Sequence, residues 1–151
     1  EAALRAEPYG VLHIASHASF GASADDAYVV TWDGRLGARQ LADLVELTRF
    51  RDRPLELLTL SACDTSVGDE RAALGLAGLA VRAGARSTLG TLWPVDDQAA
   101  AELVGRFYRE LARPGGSRAE ALRRAQRAVL AEPQLAHPAY WSPFVMIGSW
   151  Q

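Results

Sequence analysis

Three short apolar runs, Val11–Ser16, Leu55–Leu60 and Ser87–Trp93, are separated by stretches of helical character, and this alternation constrains the fold more than anything else in the chain. Each run is strand-sized and bounded by turn residues, so each reads as a strand buried on both faces. Strands alternating with helices imply parallel pairing, because a parallel crossover needs a dozen or more residues and is usually helical. The sequence therefore predicts an α/β layered fold with a mainly parallel sheet.

The intervening segments fill in the order. Glu1 to Ala6 reads as a helix end, stopped by Pro8 and Gly10, and Phe20 to Asp26 as a loop of mostly small and polar residues. Tyr28–Trp32 is β-branched and aromatic, and the Asp33-Gly34 that follows predicts a tight hairpin. A helix is expected from about Ala38 to Leu47, with Leu41, Leu44 and Val45 on one face. The next, from about Glu70 to Ala83, is almost all small or apolar, so it reads as buried, with glycines allowing close approach to the sheet and Gly84 as its C-terminal cap. Asp96 and Asp97 open an amphipathic helix to about Ala112, striped by Leu103, Val104, Phe107, Tyr108 and Leu111. Ser117-Arg118-Ala119-Glu120 is a capping box for a last helix ending near Ala131, and Pro143–Gly148 reads as the final strand.

Composition removes several function classes. At 151 residues and 49% hydrophobic, residues 1–151 make one ordinary domain with a real core. A formal net charge of −2 argues against nucleic acid as the main partner. No apolar run approaches the roughly 20 residues of a membrane span, and no signal-peptide pattern is present. A single cysteine excludes an internal disulfide and a multi-cysteine zinc site, and a reduced, cytoplasmic setting is the simplest assumption. The three histidines share no helix face and have no carboxylate at ligand spacing, so neither a metal nor a cofactor is expected. All basic residues are arginine, which hints at a GC-rich, bacterial genome.

Two side chains stand where chemistry is expected. In open α/β sheets, ligands gather at the carboxyl ends of the strands. His17 follows the first strand and Cys63 the second. Free cysteine is often an inert core residue, but a cysteine at a strand end, within reach of a base, is a nucleophile in waiting. Histidine suits that base because its ordinary pKa lies near neutrality. Acyl transfer also needs N–H donors for the oxyanion, and the amides of Ala18 and Cys63 are the candidates. His17 precedes Cys63 by 46 residues, close to the roughly 50 residues separating the same pair in caspases.

Seven stretches then resemble one family in its order. They are Leu12–Ala18 around His13 and His17, Asp33-Gly34, Leu60–Thr65 around Cys63, Leu92–Asp97, Phe107-Tyr108, Ala121–Gln126 and Tyr140–Phe144. On these the chain resembles the CHAT domain, a caspase-like domain often fused to tetratricopeptide repeats. The resemblance implies a caspase-like three-layer α/β/α sandwich and a cysteine endopeptidase of the clan of caspases, separase and gingipains, with His17 and Cys63 as catalytic pair. It implies a peptide or protein substrate, an upstream repeat domain or activating partner, and at least one further strand and helix before Glu1. The chain is accordingly expected to be a piece of a longer protein. Where the family usually has glycine this chain has Ala18, which keeps the N–H but would be strained at positive φ.

The remaining candidates have plainer readings beside functional ones. Asp96 and Asp97 are acids at a helix start, which the helix dipole favours; by resemblance to separase, their loop holds a basic side chain of the substrate. Asp64, beside the nucleophile, caps the loop or shapes the pocket. His13 reads as structural, bonded to backbone or packed, and His137 as surface. Ser16 and Ser61 are expected to bond within the strand-end turns, and Trp93, Trp141 and Trp150 to pack. The competing functions are a caspase-like scaffold without activity and, last, a flavodoxin-like domain, which would carry acidic or phosphate-binding groups where this chain has His17.

Overall fold

The computed structural model describes residues 9–19, 27–49, 54–61 and 70–151. The expected helix at Glu1–Ala6, the loop at Phe20–Asp26, and Cys63 and Asp64 lie outside these residues. The described chain runs β1 (Val11–Ala15), β2 (Ala18–Ser19), β3 (Tyr28–Thr31), β4 (Gly34–Gly37), α1 (Ala38–Arg49), β5 (Leu57–Ser61), α2 (Glu70–Ala83), β6 (Ser87–Thr91), α3 (Asp97–Leu111), α4 (Arg118–Leu130) and β7 (Phe144–Gly148).

The main sheet has the order β1-β5-β6-β7. β1, β5 and β6 are parallel, as the alternation with helices requires, while β7 joins β6 antiparallel with Ser87 opposite Gly148. The period-two geometry of strands divides the core into two layers. Leu58 and Leu60 face one side, with Leu41, Leu44 and Val45 of α1 and Ala80 of α2. Leu57 and Leu89 face the other, with Leu103, Val104 and Phe107 of α3 and Leu122, Ala125 and Val129 of α4. The result is the α/β/α sandwich of caspase-like proteins.

The helix ends follow their sequence signals. Ser117 accepts from the Glu120 amide at 3.2 Å, the first half of the predicted capping box. At the end of α2, the Gly84 amide donates to Val81 and the Ala85 amide to Ala80, both at 3.1 Å, with Gly84 at φ +126°. That is a Schellman closure, and glycine is the residue that takes its positive φ without strain. The role predicted for the glycines of α2 is corrected at Gly78, where an added Cβ would meet nothing within 4 Å. Among the described side chains of this helix, Ala77 and Ala80 are buried, Ala80 in the layer with Leu58 and Leu60, and a Cβ added at Gly90 of β6 would lie 3.9 Å from that of Ala77.

Two further expectations are corrected. β1 is not buried on both faces: Leu12 and Ile14 pack on the α1–α2 layer, whereas Val11 is 48% exposed. An apolar run cannot tell how far the covering helices extend, and β1 stands at the edge of the sheet, where Tyr108 of α3 reaches His13 while Val11 stays exposed. The hairpin is also larger than the Asp33-Gly34 signal suggested. β2 adds to β3 and β4 in a separate three-stranded antiparallel sheet, although two residues are too few to show a strand pattern in sequence.

Candidate functional site

The small sheet decides where His17 sits. The Val30 amide donates to the His17 carbonyl at 2.8 Å, and the Ser16 hydroxyl donates to the Val30 carbonyl at 2.7 Å. The chain is thereby gripped on both sides of His17 as it leaves β1, while the imidazole itself stays exposed. The Ser16 expectation is corrected in detail: its partner is strand β3, 14 residues away, rather than its own turn.

Ala18 is compatible with the role foreseen for its amide. The Val30-to-His17 bond makes Ala18 and Val29 a non-hydrogen-bonded antiparallel pair, so the Ala18 N–H is not directed at β3. Among the described residues no non-glycine residue has positive φ, so alanine carries no backbone strain at this position.

A cavity of about 400 Å³ opens at the carboxyl ends of β1 and β5, lined by His13, Ser16, His17, Ser61 and Asp97, with Val104 on the α3 wall. Sequence reasoning did not assign His13 to it. The signal was available: His13, Ala15 and His17 alternate at the strand period, which puts both rings on one face. Nor is the His13 partner a backbone group. Its Nε2 lies 2.8 Å from Ser61 Oγ, and its ring packs on Tyr108 at 5.7 Å between centroids. Partial burial against these neighbours, on a residue that otherwise stays exposed, lowers the His13 pKa below its ordinary value of 6.5 and favours the neutral ring. The Tyr108 hydroxyl donates to Thr59 Oγ1 at 2.9 Å, and burial raises its own pKa.

The two aspartates of the α3 entrance separate. Asp96 is the N-cap, its Oδ1 accepting from the amides of Gln98 and Ala99 at 3.0 Å each. Asp97 lines the cavity. His137 is exposed, as expected, and its Nδ1 accepts from the Ala139 amide at 3.2 Å. The indoles of Trp93 and Trp141 donate to the carbonyls of Ala139 and Ala136. Trp150 is not a packing residue; it is 61% exposed.

Among the described residues no group of three or more histidine, cysteine or acidic side chains gathers as metal ligands, and no helix is long and apolar enough to cross a membrane. A comparison with curated proteins found no matching sequence. The family model of the CHAT domain matches residues 1–149. With nearly the whole chain matched, and on a sheet of the expected layering, the protein belongs to the CHAT domain family, which is caspase-like and peptidase-related.

Proposed function

We propose that the protein is a cysteine endopeptidase module in which Cys63 is the nucleophile and His17 the base. One observation carries the reading. Each residue of β1 faces the β5 residue 46 positions further on, Val11 opposite Leu57 and Ala15 opposite Ser61, and the same 46 positions separate His17 from Cys63. Both therefore follow the last register pair by two residues.

In this reading His17 takes the thiol proton and the thiolate attacks the peptide carbonyl carbon, forming a C–S bond. The amides of Ala18 and Cys63 hold the oxyanion. The C–N bond then breaks as the imidazolium protonates the leaving amine. Water, deprotonated by His17, hydrolyses the thioester and returns the thiol. Asp97 in the cavity favours a basic side chain next to the scissile bond, and Asp64 adjoins the nucleophile in sequence. A reducing, cytoplasmic compartment keeps the thiol competent, and an upstream domain or partner activates the module.

The test is digestion of a peptide library by the full chain, beside Cys63→Ala and His17→Ala variants. Cleavage by the wild type that is lost in both variants is the expected result. Cleavage that persists in Cys63→Ala overturns the reading. A wild type that cleaves nothing, with its thiol unreactive toward alkylating probes, leaves a caspase-like interaction scaffold as the function.

A further inference from the structure

We propose that His13 is a positioning residue for the nucleophile: by sharing a hydrogen bond with Ser61 it fixes the end of β5 from which the chain runs to Cys63. The inference rests on the reading of Cys63 and His17 as the reacting pair.

The geometry is diagonal. The register partner of His13 is Thr59, yet the ring reaches forward to Ser61, two residues nearer the carboxyl end of β5. Ser61 is the last residue of β5, and its pairing with Ala15 closes the ladder. The His13–Ser61 bond is thus a side-chain tie at the point where the β1–β5 ladder ends. The ring is itself held from behind. Tyr108 packs against it, Phe107 backs Tyr108 at 5.4 Å between centroids, and Phe107 is fully buried in the core of α3. The Tyr108 hydroxyl is anchored on Thr59 of the same strand β5. A continuous line of contacts therefore runs from the α3 core through Tyr108 and His13 to the residue two before Cys63. Packing alone asks for an aliphatic or phenyl group at position 13; the ring nitrogen is what adds direction. The neutral ring serves in either tautomer, accepting from the Ser61 hydroxyl or donating to it. Misplacement of a reacting group by about 1 Å costs on the order of a hundredfold in rate, so a tie at this position has large leverage.

The experiment is alkylation of the full chain by iodoacetamide, followed by intact mass from pH 5 to 9. The chain has one cysteine, so every adduct reports Cys63. A His17-paired thiol reacts well below the ordinary thiol pKa of about 8.5, and His17→Ala is expected to return the profile to that value. His13→Phe keeps the ring packing and loses the bond; Ser61→Ala removes the other partner. Each is expected to slow alkylation at pH 6.5 by about three- to tenfold, and the double variant no further than the slower single, because one bond is lost in all three. His13→Gln, whose amide reaches the same place, is expected to stay within about twofold of wild type. A merely structural role would lower the melting temperature of the variants without moving the profile. Superimposable wild-type, His13→Phe and Ser61→Ala profiles, with His17→Ala still shifted, overturn the positioning role and spare the catalytic pair. A His17→Ala profile identical to wild type removes the pair, and this inference with it.

Discussion

Asp96 and Asp97 are adjacent in sequence and divide two tasks: Asp96 caps α3 through the amides of Gln98 and Ala99, while Asp97 lines the cavity that holds His17. The division predicts separable phenotypes. Asp96→Ala is expected to cost about 1 kcal/mol of stability, the usual loss for an N-cap, in urea denaturation. Asp97→Asn is expected to leave stability nearly unchanged and to shift cleavage from substrates with arginine before the scissile bond toward neutral ones. The ratio of kcat/KM for the two substrate types measures this directly.

The contact between Tyr108 and Thr59 predicts a non-additive pair. Tyr108→Phe leaves the fully buried Thr59 hydroxyl without the partner it has at 2.9 Å. Losing one half of a buried hydrogen bond costs about 1–3 kcal/mol, whereas replacing both halves by apolar groups of similar shape is nearly neutral. Urea denaturation of Tyr108→Phe, Thr59→Val and the double variant should show the double recovering most of the loss. Strict additivity would mean that the two side chains do not depend on each other.

Two glycines predict opposite outcomes for the same substitution. Gly148 has φ +101°, and an added Cβ would be driven into the Arg86 carbonyl oxygen and lie 3.1 Å from Ser87 Cα. Gly148→Ala should destabilise by about 1–3 kcal/mol through strain at positive φ and the backbone clash. Gly78 is inside α2 with nothing within 4 Å of an added Cβ, so Gly78→Ala should stabilise by about 0.5–1 kcal/mol through helix propensity. Thermal melts of the two variants, on either side of wild type, check both.

Burial lowers the folded-state pKa of His13 below its ordinary value of 6.5, which is the value the unfolded chain retains. The unfolded state then binds more protons in the window between the two values, so stability rises with pH there. The His13 contribution is present in full above about pH 6.5 and is lost as pH falls through the folded-state pKa. The carboxylates act lower: Arg123 and Arg124 hold Glu120 at about 2, and Arg106 holds Glu102 below 4.5. Denaturation midpoints of wild type and His13→Phe, followed downward from pH 7 to 5, should diverge in slope, with the variant flatter. Parallel curves would show that His13 does not titrate differently in the two states.

The sequence by itself determined the layers and where the strands end. Three apolar runs set between helical stretches are enough to require a parallel sheet, and the end of a strand is marked where apolar residues give way to His17 or to the segment of Cys63. The capping box at Ser117 and the closing glycine at Gly84 were equally legible, because a helix end is settled by groups within one turn of it. What only the tertiary structure decided was everything set by partners far along the chain. The edge position of β1, the antiparallel entry of β7, the tie of Ser16 to Val30, the separation of Asp96 from Asp97, and the reach of His13 to Ser61 depend on contacts between segments that periodicity cannot pair. A local pattern records which face of an element is apolar. It carries no record of which distant hydroxyl, ring or carboxylate that face will meet once the layers close.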